Sequence, residues 1–135
     1  MTDWAHLHAP SLGDFEVLAE AAYARLPEEF RALCEGVVIR VEDFPDDETM
    51  EAMGCETPFD LLGLFRGIGL AQGGATMQTG QFPNMVWLYR RPILDYWAEH
   101  EESLGALVTH VLVHEIGHHF GLSDDDMKAI EAAAF

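Results

Sequence analysis

The stretch His114-Glu115-Ile116-Gly117-His118-His119-Phe120-Gly121-Leu122-Ser123-Asp124 decides how the rest of the chain is read. On a helix that turns about 100° per residue, His114 and His118 share one face, about 40° apart and about 6 Å along the axis, so both imidazoles reach one metal ion. Glu115 falls beside them, where a carboxylate can act as general base toward a water on zinc without being a ligand itself. Two imidazoles do not make a stable site, and a third protein ligand is needed, with the fourth position left to solvent. Gly121 stands where a helix commonly stops in a left-handed conformation, and the reversed chain brings Asp124 back over the helix end. Asp124 is the expected third ligand.

The residues upstream support this placement. Leu104, Leu107, Val108 and Val111 occupy the arc that His114, Glu115 and His118 occupy later, while Leu112, Ile116 and Phe120 cover a neighbouring arc. Polar groups on a helix this apolar must be satisfied, and a metal satisfies all three at once. A bare H-E-x-x-H arises by chance; the glycine and the aspartate at successive three-residue steps make the match specific. The remaining candidates have blander expectations. Met127 is expected in the core, His110 as an exposed or hydrogen-bonded helix histidine, and His119 as structural. Asp125 and Asp126 suit the start of a solvated helix, and His6, His8 and His100 have no metal-ligand spacing.

A chain of 135 residues allows one domain, 1–135, and a composition of 49% hydrophobic and 23% charged residues can bury a core without staples. Seven bases against 24 acids give a net charge of -17, which repels phosphate backbones and anionic lipid. Nucleic acid and membranes are therefore not expected partners. No apolar run approaches the roughly 20 residues of a membrane span, and the first residues lack a basic segment followed by an apolar one, so the expected compartment is the cytosol. Cys34 and Cys55 are too few for a disulfide framework and are expected to be reduced and structural. The charge is uneven: residues 61–94 contain no acid and three arginines, Arg66, Arg90 and Arg91. Buried strand and turn sequence explains this; the sharper alternative is a groove for a substrate carboxylate or carbonyl.

Hydrophobic patterning outlines the elements. Ser11 with Asp14 resembles a capping box before an amphipathic run from Phe15 to Leu26, and Pro27 opens a second short helix. Strands are expected over 37–42, 61–66 and 85–90, with an acidic connection over 43–58 that carries one helical turn around 48–53. Residues 67–84 have the composition of a loop with one weak edge strand. Pro92 closes the third strand, a helical turn covers 93–100, and the longest helix spans 103–120. A final helix runs over 123–134 with Ser123 as its cap.

At these residues the sequence resembles the small bacterial zincin-like metallopeptidases with the signature H-E-x-x-H-x-x-G-x-x-D, described as a minimal zincin fold. The likeness includes Leu26-Pro27-Glu28-Glu29-Phe30, strand 37–42 with Asp43 after it, and Leu61-Leu62-Gly63-Leu64-Phe65-Arg66-Gly67. It implies an α+β fold in which a small mixed sheet of three or four strands packs against an N-terminal helix and a long active-site helix. It also implies zinc on His114, His118 and Asp124, with Glu115 as base. The expected function is that of a zinc-dependent peptidase acting on peptide or protein substrates as a monomer, the peptide lying along an edge strand within residues 68–90. The competing reading is a non-catalytic module in which zinc ties the helix to the last turn and the groove holds a partner peptide. Zinc content and cleavage of a peptide library separate the two.

Overall fold

In the computed structural model, which describes residues 3–67 and 84–134, Ser11 opens the first helix as its sequence predicts. The Asp14 amide donates to the Ser11 hydroxyl at 3.1 Å, and the Ser11 amide donates to the Asp14 carboxylate at 2.9 Å. Two donors that a helix start leaves unpaired are thereby satisfied. Helix α1 (Leu12–Ala24) turns Phe15, Ala19 and Ala22 inward. In α2 (Glu28–Leu33), Pro27 is the cap rather than the first helical residue, since its ψ of 147° is extended. The expected turn in the acidic connection is α3 (Asp47–Ala52), capped by the Asp46 side chain, which accepts from the Thr49 amide at 2.7 Å.

The strands are β1 (Val38–Glu42), β2 (Gly63–Arg66) and β3 (Met85–Tyr89). Helix α4 (Arg90–Glu99) starts directly after β3. The sequence reading ran the strand to Arg90 and used Pro92 as its stop, but Pro92 instead sits in the first helical turn. Amides there have no partner within the helix, so proline loses nothing by lacking one. Helix α5 (Leu104–His119) is capped by Ser103, whose hydroxyl accepts from the Ala106 amide at 3.1 Å. Replacing Ser103 by alanine is expected to lower the unfolding free energy by about 1 kcal/mol, read as a shift of the urea midpoint. Helix α6 (Asp124–Ala134) begins behind Ser123, which exchanges two hydrogen bonds with Asp126.

The sheet is mixed, with strand order β1-β3-β2. β3 runs parallel to β1, from Val38↔Met85 to Glu42↔Tyr89, and antiparallel to β2, from Gly63↔Leu88 to Arg66↔Met85. The α+β class and the packing of α1 and α5 against a small sheet are as expected. Val86 and Leu88 of β3 meet Phe15, Ala19 and Ala22 of α1 and Leu107, Val108, Val111 and Leu112 of α5 in one core cluster. On its other side α5 contributes Val113 and Ile116 to a second cluster with Leu26, Phe30, Cys34 and Met127. Apolar packing on two sides leaves α5 one stripe for polar groups, which His110, His114 and His118 occupy.

The arginines of the acid-free stretch make contacts within the chain. Arg66 lies over the Trp87 ring and Arg91 over the Phe44 ring, at 5.4 and 5.5 Å from the centroids, while Arg90 pairs with Asp43 at 3.0 Å. Both cysteines are free thiols. Cys34 donates to the Phe30 carbonyl, and burial pushes its thiol up to about 11. A thiolate is the reactive form, so in the folded protein at mildly alkaline pH Cys55 is expected to take up an alkylating reagent while Cys34 reacts only after unfolding. Peptide mass spectrometry after labelling checks this.

Candidate metal centre

The segment that carries the polar stripe ends as the glycine predicts. Gly121 has a φ of 75°, the Leu122 amide donates to the Gly117 carbonyl at 2.9 Å, and the Gly121 amide donates to that of His118 at 3.1 Å. This pair of bonds is the Schellman arrangement, which closes a helix and reverses the chain. Its result is that α6 runs back against α5. Gly117 is a contact point between the two: a β-carbon there would lie 2.6 Å from the Met127 sulfur. Met127 is fully buried, in the core as expected.

His114 and His118 are neighbours on α5, their rings edge to face with centroids 5.7 Å apart. His114 is half-buried and His118 exposed. His119 points elsewhere, its ring 4.2 Å from that of Phe65 on β2, in keeping with a structural role. Glu115 is half-buried against β2. Burial pushes its carboxyl above its ordinary value, against the opposing influence of His118 and of the Phe65 amide, which hydrogen-bonds to it. Gly63 makes this approach possible, because a β-carbon there would lie 3.4 Å from Glu115 Cγ and only 2.7 Å from Val111 Cγ1. His114 and Glu115 share a cleft of about 300 Å³ with Gly63, Leu62 and Tyr96. Its wall is β2, an edge strand among the described residues. The expected peptide-binding edge within residues 68–90 is corrected in part: β3 is paired on both sides and offers no free edge, while residues 68–83 lie outside the described residues.

A second hollow is lined by His110, His114, Asp124, Lys128 and Glu131, and its two histidines also line the cleft that holds Glu115. Asp124 thus reaches the neighbourhood of His114, from the first turn of α6. The closest polar constellation, however, contains a residue that the sequence reading did not select. Glu131 accepts or shares a proton with His110 Nδ1 at 2.8 Å and with His114 Nε2 at 3.1 Å. Among the described residues, His110, His114 and Glu131 are the group of three whose ligand atoms all lie within 4.8 Å of one another, and His118 and Asp124 stand outside it. A signal for Glu131 was present: it follows Asp124 by seven residues, two helical turns, so both lie on one face of α6.

The profile of the zincin-like metallopeptidases matches residues 34–134. The chain belongs to this family. A search of curated proteins finds no match. In a zincin-like metallopeptidase the cofactor implied is zinc, and the donor chemistry here fits it. Imidazole nitrogens and carboxylate oxygens are ordinary zinc ligands, and two ligands on a tetrahedral zinc are roughly 3.3 Å apart. The 3.1 Å separation of His114 Nε2 and Glu131 Oε2 is close to that spacing.

Proposed function

We propose that this zincin-like protein is a zinc-dependent peptidase in which His114, His118 and Asp124 hold the ion and Glu115 is the general base. The observation that carries the reading is the setting of Glu115. It stands next to His114 in a cleft walled by an edge strand, with its carboxyl pushed up by burial. Zinc at such a site supplies a Lewis acid for a substrate carbonyl and brings the pKa of its water toward about 7.

The chain's own groups do the rest. Glu115 takes the proton from the attacking water and passes it to the leaving amine; its raised proton affinity suits both halves of that transfer. The Phe65 amide fixes the carboxylate toward the cleft. An extended peptide laid along the side of β2 that is unpaired among the described residues gains main-chain hydrogen bonds, which aligns its carbonyls with the helix. Gly63 keeps that strand close, since no side chain intervenes between it and Val111.

The test combines elemental analysis of zinc with an unbiased peptide-cleavage screen of the purified chain. Cleavage that a chelator abolishes and zinc restores supports the proposal. Full zinc occupancy with no cleavage of any peptide would replace it with the binding-module reading.

A further inference from the structure

We propose that His110, His114 and Glu131 form a second zinc-binding set, which exchanges one ion with the set containing His118 and Asp124. The inference rests on the proposed function for that second partner set, but its own residues are read from a different constellation. Both sets need His114, so one chain holds an ion in one of them at a time.

Three observations support it. First, His110 stands in the same relation to His114 as His114 does to His118, one helical turn earlier, and their rings are 4.0 Å apart. The stripe is therefore a run of three histidines, and the pair that serves a metal is not determined by helical spacing alone. Second, a single carboxylate reaches both upper histidines, one oxygen to each. Two nitrogens and an oxygen, mutually within 4.8 Å, are the three-ligand complement of a zinc site that keeps a position open. Third, His110 and His114 line both the cleft beside β2 that holds Glu115 and the hollow that holds Glu131, Asp124 and Lys128, so both histidines are open to Glu131 from a hollow that Glu115 does not line.

These observations give the second set a role. An ion held by His110, His114 and Glu131 is retained by the protein without engaging His118 or Asp124, which makes it a resting position. Asp124 lines the same hollow, so it stands where an ion can pass from one carboxylate to the other without leaving the chain.

The experiment measures zinc stoichiometry and affinity by chelator competition, with the absorption of the cobalt-substituted protein as a second readout. It uses the parent chain, the double variant His118→Ala/Asp124→Asn, and that double variant with either Glu131→Gln or His110→Ala added. The double variant is expected to keep one zinc per chain, and each added substitution to weaken binding at least about tenfold. A double variant without zinc, or one whose affinity neither addition changes, overturns the proposal. If instead Glu131→Gln alone removes zinc from the otherwise unaltered chain while the double variant binds like the parent, the exchange is overturned and the assignment of His118 and Asp124 falls, leaving His110, His114 and Glu131 as the zinc set.

Discussion

Glu115→Gln is expected to retain zinc and to lose hydrolysis by about 10²- to 10⁴-fold, the usual worth of a positioned general base. The substitution keeps the shape of the side chain and its capacity to accept from the Phe65 amide, but it removes the group that takes a proton. Loss of fold cannot account for the loss, because the sign of the charge effect runs the other way. Burial raises the Glu115 carboxyl in the folded chain above the reference of 4.5. A group so shifted favours folding below its unfolded pKa, and that advantage disappears as pH rises through the folded value. Above its folded value Glu115 leaves the folded, metal-free parent with an ionised carboxylate in a desolvated place, whereas glutamine does not titrate. Metal-free Glu115→Gln should therefore unfold at a denaturant concentration no lower than the parent, with the gap in its favour widening as pH rises through the folded value of Glu115. Equal cleavage rates for parent and variant would remove Glu115 from the reaction.

Gly63→Ala is the second large effect. The added β-carbon would sit 2.7 Å from Val111 Cγ1 and 2.9 Å from the Trp87 carbonyl oxygen. The first is a side chain buried in the core, and the second is backbone of the neighbouring strand, held by the register of Leu64 with Trp87. Neither can yield without cost, so the strand must move. Overpacking of this kind costs about 1 to 3 kcal/mol. Because β2 also carries the amide that holds Glu115, the displacement should lower the cleavage rate of the fraction that remains folded. Denaturation in urea reads the first effect and the rate per folded molecule the second. A variant as stable and as active as the parent would show that the contact between β2 and α5 is looser than its distances indicate.

Local chemistry was readable in the chain and long-range pairing was not. The caps at Ser11 and Ser123, the stop at Gly121 and the inward faces of α1 and α5 each depend on residues within a few positions of one another. The likeness to zincins rested on the same kind of local spacing. By contrast, the order β1-β3-β2 depends on contacts between distant segments, which is why a peptide-binding edge was sought in a stretch that includes the central strand. Pro92 misled for a related reason: its effect depends on where a helix starts, and a strand that turns directly into α4 leaves no punctuation. Glu131 shares a face with Asp124 by spacing alone, but its contact with the histidines arises only when α6 folds back on α5. Its neighbours in the chain, Ile130 and Ala132, say nothing of histidines seventeen and twenty-one residues away.

The strand order has a consequence for biosynthesis. A ribosome makes β1 and β2 before β3, and among the described residues neither has a partner in this sheet until β3, the strand between them, has been added. The nascent polypeptide therefore emerges with both outer strands waiting; α1, which packs on β1, is already made, whereas α5 comes later still. Assembly of the sheet must wait until residue 89 has been translated, and β2, which lies in the acid-free stretch, has no acid of its own to keep it from joining other strands meanwhile.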